Sequence, residues 1–264
     1  MMDFLKRSLA PITDEGWEEI DEQAREVLAN KLTGRKVVDV LEPKGWDYSG
    51  IPLGRLDIKE DSPERVRYGI RKVLPLVETR ISFELNIWEL DNLSRGAEDV
   101  ELSPLEDAAA EAAQFEEEVI YNGLAEAGID GLFSSAGSSV NLPDSNSGIL
   151  EGASEAVTVF QDEAIEGPYT MIVDKELWQS IAGASDGYPL KRQLEDLIGG
   201  SIVYSPIVED PVLVSTRGED VQLVLGQDFS IGYEDHGTKE VKLFLTESFG
   251  FRVLEPAAIV KLVR

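Results

Sequence analysis

The chain of 264 residues has no cysteine and a single histidine, His236. The first absence excludes disulfides and thiolate nucleophiles, and the two together exclude zinc sites built from cysteine and histidine. Nucleophile–base catalysis needs a base that titrates near neutral pH. A Ser-His-Asp triad would have to use His236, in the segment Glu234-Asp235-His236-Gly237 between two predicted strands, where a solvated turn histidine is expected. There is no Walker A pattern and no Gly-x-Gly-x-x-Gly fingerprint. No apolar run approaches the roughly 20 residues of a membrane span, and mean hydropathy is −0.15. Met1 to Pro11 carries Lys6 and Arg7 without an apolar stretch behind them, so no signal peptide is expected and a cytoplasmic location fits.

Basic residues are also scarce. Lys and Arg number 24 against 51 Asp and Glu, a formal charge of −27. Such a surface repels nucleic-acid phosphates and anionic membrane faces. It suits solubility or high salt, with a cation-attracting wall as the alternative. Carboxylates alone could still ligate iron or calcium. The run Glu116-Glu117-Glu118, however, sits on a predicted helix, where adjacent residues splay apart, and a solvated face is expected there.

What the chain does have is 42% hydrophobic residues, enough for one large domain or two interlocked lobes. Residues 14–32 read as an amphipathic helix, with Asp14 and Glu15 in the first turn, Trp17, Ile20, Ala24, Val27 and Leu28 on one face, and Gly34 as its stop. Val37 to Leu41 reads as a short strand. Residues 42–75, broken by Pro43, Gly45, Pro52, Gly54, Pro63 and Gly69, read as an extended excursion of weakly paired strands, suited to packing on a neighbouring subunit. From Arg80 the chain alternates, with Ile81, Phe83, Leu85 and Ile87 on one side and Arg80, Ser82, Glu84, Asn86 and Trp88 on the other. Ser103-Pro104-Leu105-Glu106 reads as a capping box opening a helix to about Ala127, closed by Gly128. Residues 134–148 read as a loop and 148–162 as a helix. Tyr169–Val173 reads as a buried strand, and 175–181 and 189–198 as helices separated by a tight polar loop at 183–187. Strands are expected at 201–205, 211–216, 221–225, 229–233, 240–248 and 250–254. Helix and strand interleave without regular βαβ alternation, so the fold class is α+β.

Six stretches resemble one known family in its own order. They are Asp3 to Pro11, Gly34 to Val40, Trp88 to Gly96, Glu166-Gly167-Pro168-Tyr169, Gly187-Tyr188-Pro189-Leu190 and Gly226 to Asp235. Together they resemble the family 1 encapsulins, linocin-type shell proteins with the HK97 phage-capsid fold. The resemblance implies a single subunit over 1–264, with an N-terminal helix region at 1–34 and an extended loop at about 42–75. A peripheral lobe would comprise 76–160 and 240–264, with a spine helix at about 104–127, and an axial lobe would occupy about 165–225. It implies a container without catalytic residues, about 60 copies or more, enclosing a cargo enzyme that carries a C-terminal targeting peptide. In this family the cargo is often a ferritin-like iron oxidase or a dye-decolorising peroxidase, which implies roles in iron storage or oxidative-stress defence. By the same resemblance, Arg35, Asp39, Asp228 and Ile231 would dock the cargo peptide. Gly183, Ala184, Ser185, Asp186 and Gly187 would line a pore. Trp88, Arg80 and Tyr188 would bind a flavin, with Trp88 stacking the ring. A phage or prophage major capsid protein is the alternative with the same fold, disfavoured by −27. A hydrolase or protease is the alternative from another class.

Overall fold

A computed structural model describes residues 4–59, 66–186 and 188–264. The main elements are α1 (Asp14–Lys31), β1 (Asp39–Leu41), β2 (Gly50–Lys59), β3 (Tyr68–Pro75), β4 (Val77–Asn86), α2 (Ile87–Leu93) and α3 (Ser103–Asn122). There follow β5 (Ser138–Asn141), α4 (Asn146–Asp162), β6 (Tyr169–Val173), α5 (Lys175–Gly183) and α6 (Leu190–Ile198). The chain ends with β7 (Ile202–Tyr204), β8 (Val212–Ser215), β9 (Val221–His236), β10 (Glu240–Val253) and β11 (Ile259–Val263).

Two sheets organise the chain. One has the order β1-β9-β10-β4, with β10 antiparallel to both long neighbours. Helices α1 and α3 cover it, and Trp17, Ile20, Leu28, Leu105, Ala109 and Ala112 pack with Leu243 and Leu245 from the strand side. The other has the order β7-β6-β8-β11-β5. Its alternation serves two separate cores. Val212, Val214 and Ile259 join one cluster with Phe249 and Phe251, whereas Leu213, Val260 and Leu262 join the cluster under α4 and α6. The mixed helix-and-sheet architecture is the α+β class expected. In this sheet β11, close to the C-terminus, bonds β8 on one side and β5 on the other.

The helix starts follow side-chain chemistry. Thr13 accepts the Gly16 N–H at the head of α1, and Ser145 accepts the Gly148 N–H at the head of α4. The expected capping box at Ser103 does not form. Leu102 is the N-cap, and the Glu101 carboxylate accepts the Ser103 N–H instead. Helix α3 also stops at Asn122 rather than Ala127. Gly123, at φ 85, turns the chain back, and a Cβ there would lie 2.5 Å from the Ile129 carbonyl oxygen. The spine is therefore about 30 Å long.

Other boundaries also move. Strand β4 ends at Asn86, whose side chain caps α2 by accepting the Trp88 N–H, so Trp88 is helical and leaves the strand face shared with Arg80. Residues 138–141, expected in a loop, form β5, which pairs parallel with β11. The strands expected at 221–225 and 229–233 are one continuous β9, interrupted by bulges, and those at 240–248 and 250–254 are one β10. Ser185-Asp186 and Tyr188-Pro189 pair as a tiny hairpin after α5; Gly187 lies outside the described residues.

Strands β2 and β3 bond to each other and to no other strand among the described residues. The hairpin carries exposed Leu53, Leu56, Ile58, Tyr68, Ile70 and Val73. An apolar surface of this kind on a two-stranded ribbon, itself marginal in water, is characteristic of an element completed by a partner.

Candidate functional site

A cavity of about 550 Å³ lies between the N-terminal segment, α1 and the bulged part of β9. Bulges between Leu225 and Gln227 and between Gln227 and Ser230 release Asp228 and Phe229 from the ladder. Phe229 then forms part of the wall with Ala24, Leu28, Ile231 and Leu245, and Leu5 closes one end, its carbonyl accepting the Tyr233 N–H at 2.8 Å. Arg7, stacked on Trp17 at 4.0 Å, bonds Asp21 at 2.8 Å along the rim. The result is an apolar trough with charges at its edges.

Beneath it lies a buried charge cluster. Arg35, in the turn after α1, reaches Glu116 of α3 through Nε and Nη2, with a shortest contact of 2.6 Å. It also reaches Glu247 of β10 at 2.6 Å and Asp228 at 3.0 Å, and its guanidinium lies 5.0 Å from the Phe229 ring centroid. Burial alone would lower the Arg35 pKa, but the hydrogen bond and charge of Glu116, then Glu247 and Asp228, raise it above its ordinary value. Glu247 is fully buried. Desolvation first, then the charge of Glu116, drive its pKa well above the carboxylate range against the pull of Arg35. Its Oε2 has no hydrogen-bond partner.

Glu117 belongs to a second buried polar cluster. It accepts hydrogen bonds from the Thr33 hydroxyl and, at 2.5 Å, from the Gly34 N–H. Desolvation nevertheless pushes its pKa up to about 7. The Tyr121 hydroxyl lies 3.1 Å from Thr33 Oγ1, and burial raises its pKa too. Glu116 and Glu117 are thus 0% and 2% exposed, not the solvated face expected. The signal was present in the sequence. Leu105, Ala109, Ala112, Glu116 and Ile120 recur at helical spacing, so the apolar stripe runs straight through Glu116.

Of the residues expected to dock a peptide, Arg35, Asp228 and Ile231 meet at this trough. Asp39 does not join them. Its Oδ2 accepts the Glu219 N–H at 2.5 Å in a separate cleft with Ser215 and Gly218. Arg35 and Asp39 are therefore not an ion pair.

Trp88, Arg80 and Tyr188 do not converge within one chain. Arg80 lies opposite Thr246, with its guanidinium 3.8 Å from the Phe244 ring centroid. Trp88 stands beyond the far end of β4, 66% exposed, with Arg95 as its nearest cation at 6.0 Å. Tyr188 is exposed and bonds Asp196. Among the described residues of one subunit, the exposed Trp88 ring has no second wall beside it, and the three residues do not form one pocket. Of the expected pore residues, Gly183 ends α5, Ala184 follows it, and Ser185 and Asp186 form the first side of the small hairpin. His236 is exposed, and its Nδ1 lies 2.5 Å from the Tyr233 hydroxyl. The cleft around it is lined by Glu84, Asp235, Lys239 and Lys242, with no serine.

A family model described as an encapsulating protein for peroxidase matches residues 2–250. The type 1 encapsulin shell protein of Rhodospirillum rubrum is 36% identical, covering 99% of this chain and 96% of its own length. That of Brevibacterium linens is 34% identical, with 99% of both covered. The virus-like particle of Pyrococcus furiosus shares the fold at TM-score 0.67 and 18% identity, covering 93% of this chain and 98% of its own. The capsid protein of Myoviridae phage XM1 does so at TM-score 0.55 and 13% identity, with 88% and 91% covered. The chain shares the fold of HK97-type capsid subunits, and with matches over nearly its whole length it belongs to the type 1 encapsulin shell-protein family.

Proposed function

We propose that this protein self-assembles into a closed shell and encloses a cargo enzyme docked in the trough between α1 and β9. The observation that carries the assembly is the β2–β3 hairpin, whose Leu53, Leu56, Ile58, Tyr68, Ile70 and Val73 are left exposed by the described residues of the subunit. Closed point-group symmetry gives every copy a neighbour on which to lay that arm. The trough supports the docking, because an apolar slot with charged edges suits a short peptide that brings a few apolar anchors. The chemistry then belongs to the cargo, a ferritin-like iron oxidase or a peroxidase, and the subunit carries out no turnover. A DNA-packing capsid is the less favoured reading, since −27 per copy repels phosphate.

Ile231 is 3% exposed and lies opposite Leu245, so a charge there would disturb the core. Ala29 is exposed on the helical wall of the same trough and gives a cleaner test. Ala29→Trp should fill the slot and yield particles of normal diameter that sediment as empty shells from the native source. Particles of unchanged mass and content would remove the trough from consideration.

A further inference from the structure

Three carboxylates face one guanidinium below the trough. Glu116 comes from α3, Glu247 from β10 and Asp228 from β9, and Arg35 is the one cation that reaches them among the described residues. Across from Glu247 on β4 stands Thr79, which brings no charge, and the neighbouring Glu78 is opposite Ser248. Two of the carboxylates, Glu116 and Glu247, are buried from solvent, whereas Asp228 is 44% exposed. Two buried anions against one cation leave an uncompensated charge in a low-dielectric site unless one of them holds a proton. The Glu247 Oε2, without a partner, is the oxygen on which a proton can reside, and the direction of the Glu247 titration, set by desolvation, agrees.

The cluster also connects mechanically to the trough. Asp228 and Phe229 belong to the bulge, whose flank is held by the Gln227 N–H bond to Ser248 Oγ and whose Phe229 packs against the core under α1; among the described residues, Arg35 is the group outside the bulge that holds the Asp228 carboxylate. Moving the guanidinium moves the wall.

We propose that the buried pair Glu116–Glu247 is a proton-dependent positioning element for the docking trough, holding Arg35 and through it the Asp228–Phe229 bulge. With a proton on Glu247, Arg35 is balanced and the bulge is fixed. Loss of that proton leaves two buried anions. It favours an opened state in which Glu247 reaches water and the bulge is released. The assignment of the trough as a docking site rests on the proposal above; the pH response of the bulge does not.

The test is hydrogen–deuterium exchange of the peptide spanning 226–233 in assembled shells, corrected for the intrinsic pH dependence of exchange. Wild type is compared with Glu247→Gln between pH 5.5 and 8.5. The amide occupies the position of a protonated carboxyl and cannot ionise. Because opening releases one proton, protection should fall about tenfold per pH unit more steeply in wild type than in the variant until Glu247 is ionised in the closed form. Glu117 is present in both proteins and cancels. Glu116→Gln, which leaves one buried carboxylate against Arg35, should flatten the profile in the same way and decides the matter should Glu247→Gln fail to assemble. Parallel profiles, or a wild type whose protection ignores pH, would overturn the proposal. Cargo docking is read separately, from particle contents after Ala29→Trp, and its failure would leave this profile intact.

Discussion

Glu117 offers a stability measurement whose sign and size follow from its surroundings. Its carboxyl titrates at about 7 in the folded chain against an ordinary 4.5, chiefly through desolvation. A group whose pKa is raised by folding contributes stability that is fully present below 4.5 and lost as pH rises through about 7. Each pH unit of that gap corresponds to about 1.4 kcal/mol, so the loss across the window is about 3 kcal/mol. Glu117→Gln removes the titration. The amide oxygen still accepts the Gly34 N–H, and its nitrogen can donate to Thr33 Oγ1. Thermal unfolding followed by tryptophan fluorescence, at constant high salt between pH 4.5 and 8, should give similar melting temperatures at the acid end. At the alkaline end the variant should be higher by about 6–12 °C. Every other titrating group is common to both proteins, so the difference between the curves isolates Glu117. Parallel curves, or a wild type that gains stability from pH 5 to 8 relative to the variant, would refute the assignment of Glu117 as a desolvated carboxyl.

Deleting residues 55–68 removes the outer part of the β2–β3 hairpin together with 60–65, which lie outside the described residues, and should yield small oligomers or insoluble protein by size-exclusion chromatography; intact shells would contradict the role given to the arm. Thermal disassembly followed by light scattering should occur at higher temperature as salt rises toward 1 M, because the Debye length falls from about 30 Å to about 3 Å and −27 subunits stop repelling one another. A melting temperature that falls with salt would point to interfaces held by ion pairs. Trp88, exposed beside Arg95, is the more exposed of the two rings in the expected flavin trio. Flavin absorbance in acid extracts of shells should be lost in Trp88→Ala, and shells that stay colourless after reconstitution with flavin would exclude the cofactor.

Periodicity made much of this fold legible. The stripe Trp17–Ile20–Ala24–Leu28 became the buried face of α1, and the alternation of 81–85 became β4 beside β10. It failed where a single residue overrode the pattern. Asn86 capped a helix that the alternation did not announce, and Gly123 ended α3 early because the returning chain packs against its α-carbon. Strand β5 has only four residues, and its partner β11 lies more than a hundred residues away, so local pattern could not separate it from loop. At the trough, the family resemblance brought together Arg35, Asp228 and Ile231, which no local spacing connects. Glu116 was read as part of a solvated face and Glu247 was not singled out, because charge was taken to mean exposure; one arginine from a distant turn admits both to the interior.

The five-stranded sheet, with alternate residues committed to different cores, makes the wall of the particle stiff at the level of one subunit. A load applied at the hairpin enters the cluster containing Phe249 and Phe251, in which Ile51 and Leu74 of the hairpin base already pack. From there Val212, Val214 and Ile259 pass it to strands whose other face is locked under α4 and α6. Close-packed cores on both sides leave these strands no free surface over which to slide. Pressure from the contents or from outside is therefore relieved at the seams between subunits, and an overloaded particle should crack along those seams into whole subunits rather than yield by bending within them.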